Sequence, residues 1–325
     1  MKAIVITKYG PPLEVLQFQD VEKPAPTDNQ VLVKVQAASV NKADLAPVRG
    51  VFLARLLGTG LLKPKRKILL TDIAGRVEAV GQNVKQFQPG DEVFGGASGG
   101  FAEYACTRED RLALKPTNVT FDESAAAPIA AITALQGLRH GQIQPGQKVL
   151  VNGASGGVGT FAVQIAKSFR TEVTAVCSTQ NLDTARSMGA DHVIDYTQED
   201  FTKTGRRYDL IIAANGDESI LGYRRALSPT GRCVVLGGSL AQIFQALLLG
   251  PLISKTGSEK LGFMGIAKLN QQDLVLVKEL LEAGKVKPVI ERRYPLSETA
   301  EAMRYLEGGH ARGKVVIMVE SNDKT

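Results

Sequence analysis

From Asn152 to Thr160 the chain reads "NGASGGVGT", which spaces Ala154, Gly156 and Gly159 as A-x-G-x-x-G. The apolar run "KVLV" precedes it and the apolar periodic run "FAVQIA" follows, so the pattern predicts a strand, a tight turn and a helix. Small residues in such a turn let the backbone approach a pyrophosphate. The helix start turns unpaired N–H groups and the positive end of its dipole toward the phosphates. Ala154, Ser155, Gly156, Gly157, Val158 and Gly159 are therefore candidate dinucleotide-binding residues, with a merely structural turn as the alternative.

The choice of dinucleotide is expected at the end of the next strand, where a carboxylate would hold the adenosine ribose hydroxyls of NAD. The strand "EVTAVCST" ends on Ser178 and Thr179, and along the sequence no acid follows before Asp183. A hydroxyl pair accommodates a ribose 2′-phosphate, which favours NADPH as cofactor. Asn215, closing the later strand "YDLIIAAN", joins the cofactor candidates.

Metal chemistry finds little to work with. His140, His192 and His310 are scattered, without companion ligands at metal spacing. Cys106, Cys177 and Cys233 are odd in number and contain no Cys-x-x-Cys pair, which suggests neither a disulfide framework nor a zinc ribbon and fits a reducing compartment. The start "MKAIVITKYG" lacks a secretory apolar segment, so a cytoplasmic location is expected.

These residues need elements to hold them. A chain of 325 residues implies about two domains, and 44% apolar with 22% charged residues is the balance of a folded protein. Through about Asp122 the runs "AIVIT", "VLVKVQAASV", "AGRVEAVG" and "AEYACT", cut by Gly, Pro and Asn, predict a β-rich barrel or partly open sandwich. Beyond it a helical run, "ESAAAPIAAITALQGL", leads into buried-looking strands alternating with helices. That grammar predicts a doubly wound parallel sheet. A buried strand late in this sheet is expected in "GRCVVLGG", Gly231 to Gly238, leaving a free edge beyond it that would pair with a second copy, hence a homodimer.

The tail adds two amphipathic helices, the second starting at Ser297, a short strand between them and a final strand "KVVIMV". The net charge of +6 is spread along the chain; its densest run, "KPKRK", is too short to argue for a nucleic-acid partner. "LAQIFQALLLGPLI", Leu240 to Ile253, is too short to span a bilayer and is expected to be buried core or the lining of a cleft, so no stable membrane insertion is foreseen.

"GASGGVG", the "PIAAITAL" before it, the "SMGADHVIDY" after it and the turn "GDEVFG" together resemble the medium-chain dehydrogenase/reductase superfamily, and within it the zinc-free quinone oxidoreductase branch. The resemblance covers nearly the whole chain. It implies an α/β architecture: a GroES-like catalytic domain over residues 1–123, completed by 268–325, and a Rossmann NADP-binding domain over 124–267. It also implies Ser178 and Tyr196 near the adenosine phosphate, Thr133 near the nicotinamide, and Asn41 in "SVNKADL" facing the substrate. Each has a structural alternative: a strand cap for Tyr196, a bond to its own helix for Thr133, a turn for Asn41.

Zinc alcohol dehydrogenases of this superfamily place a Cys in the segment matching "SVNKAD" and a His-Glu pair in that matching "LTDIAG"; here no Cys stands between Asn41 and Asp44, and Thr71-Asp72 replaces the pair. The expectation is a metal-free enzyme. Without a Lewis acid, reduction of a quinone or an α,β-unsaturated carbonyl is better supported than alcohol oxidation, because hydride addition then spreads charge into a phenolate or enolate. Asn41 and Lys314, in "HARGKVV", are the candidate donors, with pairing to an acid as the alternative for Lys314. Phe52, Phe244 and Phe263 are candidate substrate-cleft aromatics, Phe52 standing where many bacterial relatives carry a tyrosine. The competing reading is a nucleotide-binding structural or RNA-binding, crystallin-like protein with little turnover.

Overall fold

The computed structural model describes residues 1–51, 63–64, 70–216, 218–309 and 311–319. They form two compact units. One comprises Met1–Ile129, Leu269–Ala283 and Pro288–Thr325; the other comprises Ala130–Lys268 with Gly284–Lys287.

Along the chain, β1 (Lys2–Ile6), β2 (Leu16–Asp20), β3 (Gln30–Val40), β4 (Leu70–Val80), β5 (Glu92–Ser98), β6 (Tyr104–Arg108) and β7 (Leu112–Leu114) build the first unit. β8 (Lys148–Asn152), β9 (Glu172–Cys177), β10 (His192–Asp195), β11 (Tyr208–Ala213), β12 (Leu227–Val235) and β13 (Lys260–Phe263) build the second. β14 (Ile290–Pro295) and β15 (Lys314–Met318) then return to the first.

In the first unit the sheet order is β14-β15-β3-β4-β5-β6, with β7 paired to β5 and a further pairing of β3 with β6. β3 is central. Val31, Val33 and Val35 point into the core while Lys34 and Gln36 reach outward, the two-residue period of a strand with one covered face. β15 lies antiparallel to β3, with Val315 opposite Val40 and Val316 opposite Ser39. The core gathers Val33, Ile73, Phe101, Met303 and Ile317, each essentially withdrawn from water, and burying such a side chain contributes about 1.5–3 kcal/mol.

The second unit is a parallel sheet in the order β10-β9-β8-β11-β12-β13. Strands covered on both faces read as unbroken apolar runs, as "VLV" and "LIIA" do here. The order reverses between β8 and β11, and in open sheets of this kind ligands bind at the carboxyl ends of the strands flanking that reversal.

Several expectations are corrected. β12 leaves no free edge beyond it, because β13 pairs with it in parallel, Cys233 opposite Leu261, and takes the edge. The helical run before the glycine loop is two helices, Phe121–Ala126 and Pro128–His140, since proline cannot supply the N–H that a continuing helix needs. The last helix runs over Thr299–Glu307, after a 3-10 turn Leu296–Glu298, and so begins two residues beyond Ser297.

The largest correction concerns Leu240–Thr256, a helix capped by Ser239, whose hydroxyl accepts the Gln242 N–H at 3.2 Å. Ala246 and Ile253 are buried, but Phe244 is 60% exposed, Leu248 67% and Leu252 60%. It is not a core segment throughout. The helix is apolar on every side while only one side packs on β13, a distinction that an apolar run does not encode.

Candidate active site

In the second unit the loop after β8 is shaped by two glycines that no other residue could replace. Gly153 has φ +79°, and a Cβ there would lie 2.4 Å from the Asn215 carbonyl at the end of β11. A Cβ on Gly159 would lie 2.0 Å from the Gly153 carbonyl, so helix and loop pack backbone to backbone. The N–H groups of Gly153 and Ala154 both donate to the Val176 carbonyl of β9, at 3.2 and 3.0 Å.

Gly156 occupies the N-cap of the helix Gly157–Ser168 and no side chain caps it. A Cβ on Gly156 would meet only the Gly153 carbonyl, at 3.6 Å. The result is an uncapped helix N-terminus opening on free space, which fits the pyrophosphate of a dinucleotide. Ala154, Ser155, Gly156, Gly157, Val158 and Gly159 are thus brought together, and Asn215 stands beside them through its N–H bond to the Asn152 carbonyl at 3.3 Å. Thr133 lies partly buried on the helix Pro128–His140.

At the end of β9 the Ser178 hydroxyl accepts the Asn181 side-chain amide at 2.9 Å, while the Thr179 hydroxyl donates to Asp195 at 2.5 Å. The absence of an acid at this strand end holds only along β9: in the parallel pairing, β10 brings Asp195 opposite Cys177. The Thr179 hydroxyl, and behind it the hydroxyl and N–H of Thr197, hold the Asp195 carboxyl below its ordinary range. Tyr196 is exposed next to it and donates its N–H to the Cys177 carbonyl at 3.1 Å.

The first unit holds a buried polar array assembled from three distant segments. Asn41 follows β3 directly and caps the helix Lys42–Arg49, whose Asp44 turns back to accept the Asn41 N–H at 2.7 Å. Asp72 comes from β4 and Lys314 from β15. The Asn41 side-chain amide donates to Asp72 at 2.9 Å and its oxygen accepts the Lys314 ammonium, which stands 3.8 Å from Asp72. Ser39 and the N–H of Ile129 add bonds to Asp72 at 3.3 and 3.2 Å. Lys314 is 2% exposed and Asp72 3%.

Burial pushes the Asp44 carboxyl up to about 8, and the nearby Asp72 charge adds to the rise. Burial likewise raises Asp72, opposed chiefly by Lys314, and lowers Lys314, opposed by both acids.

Asn41 and Lys314 therefore meet, Lys314 in contact with an acid. Phe263 packs partly buried against the core of the second unit, Phe244 is exposed, and Phe52 lies outside the described residues. Asp44 and Asp72 escaped sequence reasoning, although an acid inside the apolar strand "LTDIAG" signals a buried partner. Among the described residues no three His, Cys, Asp or Glu side chains converge. His192 instead meets Glu172 at 3.0 Å, His140 is exposed, and His310 lies outside the described residues.

A zinc-binding dehydrogenase family model matches residues 188–317, and an alcohol dehydrogenase GroES-like domain model matches residues 27–117. A chloroplastic quinone oxidoreductase of Triphysaria versicolor is 33% identical, covering 98% of both chains. A chloroplastic NADPH-dependent alkenal/one oxidoreductase of Arabidopsis thaliana is 34% identical over 98% of this chain and 79% of its own. The structure of the quinone oxidoreductase from Coxiella burnetii superposes with a TM-score of 0.85 at 32% identity, over 98% of this chain and 99% of that one. Identity at this level along almost the whole length, on a GroES-like β-rich unit and a Rossmann sheet, makes the chain a member of the medium-chain dehydrogenase/reductase superfamily of oxidoreductases.

Proposed function

We propose that the protein is an NADPH-dependent reductase of quinones or α,β-unsaturated carbonyls that works without a metal. The observation carrying this reading is the Lys314–Asn41–Asp72 array, in which a buried lysine and a buried acid orient a partly buried amide. Such donors stabilise the negative charge that hydride addition spreads into an enolate or phenolate. The bound cofactor supplies the hydride. The names of the relatives agree, one acting on quinones and another on alkenals and enones with NADPH.

The pyrophosphate is assigned to Ala154 through Gly159, with Asn215 alongside. Ser178 and Tyr196 hold the ribose phosphate, Thr179 lines that pocket, and Thr133 borders the nicotinamide. Asn41 and Lys314 act as the donors at the reacting carbonyl, and Phe52, Phe244 and Phe263 contact the planar substrate. A zinc ion, which the family name implies, does not fit the donor set, because the Asn41 amide is bonded directly to Asp72, the Lys314 ammonium sits on the Asn41 oxygen, and among the described residues no three His, Cys, Asp or Glu side chains converge.

The test is NADPH oxidation against a panel of quinones and enals, repeated after exhaustive treatment with a chelator. Turnover that survives chelation is expected; turnover restored only by added zinc would reject the metal-free reading. A chain that only binds nucleotide would take up NADPH and oxidise none of it.

The cofactor assignment makes a sharper prediction. Ser178→Asp sets a carboxylate beside Asp195 and replaces a hydroxyl donor by an acceptor. Losing a charge-assisted hydrogen bond to phosphate costs about 1.5–3 kcal/mol, so NADPH affinity should fall roughly tenfold to a hundredfold while NADH binding changes little. An unchanged NADPH:NADH ratio would remove the phosphate from this strand end.

A homodimer through the second unit is proposed on the edge position of β13, and monomer mass by light scattering at micromolar concentration would reject it. A reducing compartment is supported by the free thiols, those of Cys177 and Cys233 raised by burial, and the cytoplasm is the location we propose. The two plant relatives are chloroplastic by name. Among the described residues no helix is long and apolar enough to cross a membrane.

A further inference from the structure

The acid missing from the end of β9 stands on the neighbouring strand. β10 runs parallel to β9 with Asp195 opposite Cys177, so its carboxylate reaches Thr179 from a separate stretch of chain. Three donors hold it there: the Thr179 hydroxyl at 2.5 Å, the Thr197 hydroxyl at 2.7 Å and the Thr197 N–H at 3.0 Å. The two oxygens of a carboxylate offer about four acceptor positions, so one remains open. Asp195 is partly exposed, and among the described residues no Lys or Arg forms an ion pair with it. It is an uncompensated negative charge at the carboxyl end of the sheet.

The two hydroxyls at the end of β9 are committed differently. Thr179 gives its proton to Asp195, whereas Ser178 accepts the Asn181 side-chain amide at 2.9 Å and keeps its own proton to donate. A ribose 2′-phosphate here gains the Ser178 donor but faces the Asp195 charge. A ribose 2′-hydroxyl instead finds in Asp195 the acceptor that NAD-binding sheets ordinarily carry at this end. We propose that Asp195 is a specificity-determining residue, opposing the 2′-phosphate of NADPH and accepting the 2′-hydroxyl of NADH, and so narrowing the preference for NADPH that Ser178 creates. The inference rests on reading the end of β9 as the ribose site.

Adenosine fragments test this without hydride chemistry. By calorimetry, 2′,5′-ADP, which carries the 2′-phosphate, and 5′-AMP, which keeps the free hydroxyl, are titrated into the wild type and Asp195→Asn. Asparagine keeps the shape and an acceptor oxygen while the charge is removed. The variant should bind 2′,5′-ADP about threefold to tenfold more tightly, the scale of a repulsion between partly exposed charges. It should bind 5′-AMP about threefold to tenfold less tightly, for want of a charge-assisted bond. At about 1 M salt, where the screening length is about 3 Å, the gain for 2′,5′-ADP should largely vanish. Affinities for the two fragments that change in parallel, as a merely loosened strand end would make them, or a 2′,5′-ADP affinity that does not rise, overturn the proposal.

Ser178→Asp separates this failure from that of the underlying reading. If it weakens 2′,5′-ADP while Asp195→Asn changes nothing, the phosphate sits at this strand end and only the role of Asp195 is rejected. If neither substitution moves 2′,5′-ADP, the ribose site lies elsewhere and both are rejected. Should Asp195→Asn fail to fold, the wild type decides alone: its affinity for 2′,5′-ADP relative to 5′-AMP should rise with ionic strength, because screening relieves the repulsion. A ratio that stays level or falls, as in a pocket of net positive charge, overturns the proposal.

Discussion

Lys314→Met should remove about 3–5 kcal/mol of folding stability at neutral pH, the usual consequence of stripping the counter-ion from a buried carboxylate. Methionine fills most of the volume of the lysine stem, so the loss is electrostatic rather than a cavity effect. Asp72, 3% exposed, would keep its bonds from Ser39, Asn41 and Ile129 but lose the only cation described beside it. Its carboxyl, already raised by burial, would rise further.

The pH dependence of this loss has a definite sign. A carboxyl raised on folding binds its proton more tightly in the native chain, so its contribution is complete below the ordinary carboxylate value and fades as pH climbs through the raised one. The deficit of Lys314→Met should therefore grow from acid to neutral pH. Asp44 gives the wild type a milder trend of the same sign between its ordinary 3.8 and about 8. Denaturant unfolding at several pH values checks both, and adding Asp72→Asn to Lys314→Met should recover part of the stability. A deficit that shrank as pH rose would contradict the assignment of Asp72 as the ionised partner.

The second large effect is expected in the glycine loop, where neighbouring glycines should fail differently. A Cβ on Gly159 would stand 2.0 Å from the Gly153 carbonyl and 2.8 Å from the Ala154 Cα, so Gly159→Ala must move backbone. Overpacking of this kind costs about 1–3 kcal/mol, and displacing the loop should weaken NADPH binding by two orders of magnitude or more, since a small shift misplaces several N–H donors together.

Gly156 has φ −78°, a conformation open to any residue, and its methyl would meet nothing closer than 3.6 Å. Gly156→Ala should therefore fold normally and lose affinity only because the methyl enters the space assigned to the phosphates. Thermal unfolding with and without NADPH separates the two cases. Equal affinities for Gly156→Ala and wild type would show that the phosphates do not occupy that cradle.

The sequence made most of the second unit legible because its information is local. The glycine spacing, the apolar runs of β8 and β11 and the helix after the loop lie within short windows, where period and turn chemistry decide the outcome. β13 was overlooked because "KLGF" is four residues long and is a strand only by virtue of β12 beside it. Asp195 escaped for a related reason: parallel neighbours bring their ends together from separate stretches of chain. In the first unit Asn41 and Lys314 could be singled out one at a time, but their joining through Asp72, with Asp44 beside them, is a property of sheet order. Exposure of the helix Leu240–Thr256 was illegible for the opposite reason, as leucine at a helical position reads identically whether or not anything covers it.

The bond from Lys314 to Asn41 spans 273 positions of the chain. During synthesis the first β-rich segment emerges long before β15 exists, and until then β3 carries an unpaired flank along Ala37–Val40, where β15 later pairs. Contacts of such separation bear a large loop-closure entropy and form late. The Rossmann sheet, whose neighbouring strands are much closer in sequence, should fold while the tail is still being made. Refolding from denaturant should accordingly show nucleotide binding recovered before turnover, with an interval in which the apolar flank of β3 is open to chaperones and to aggregation.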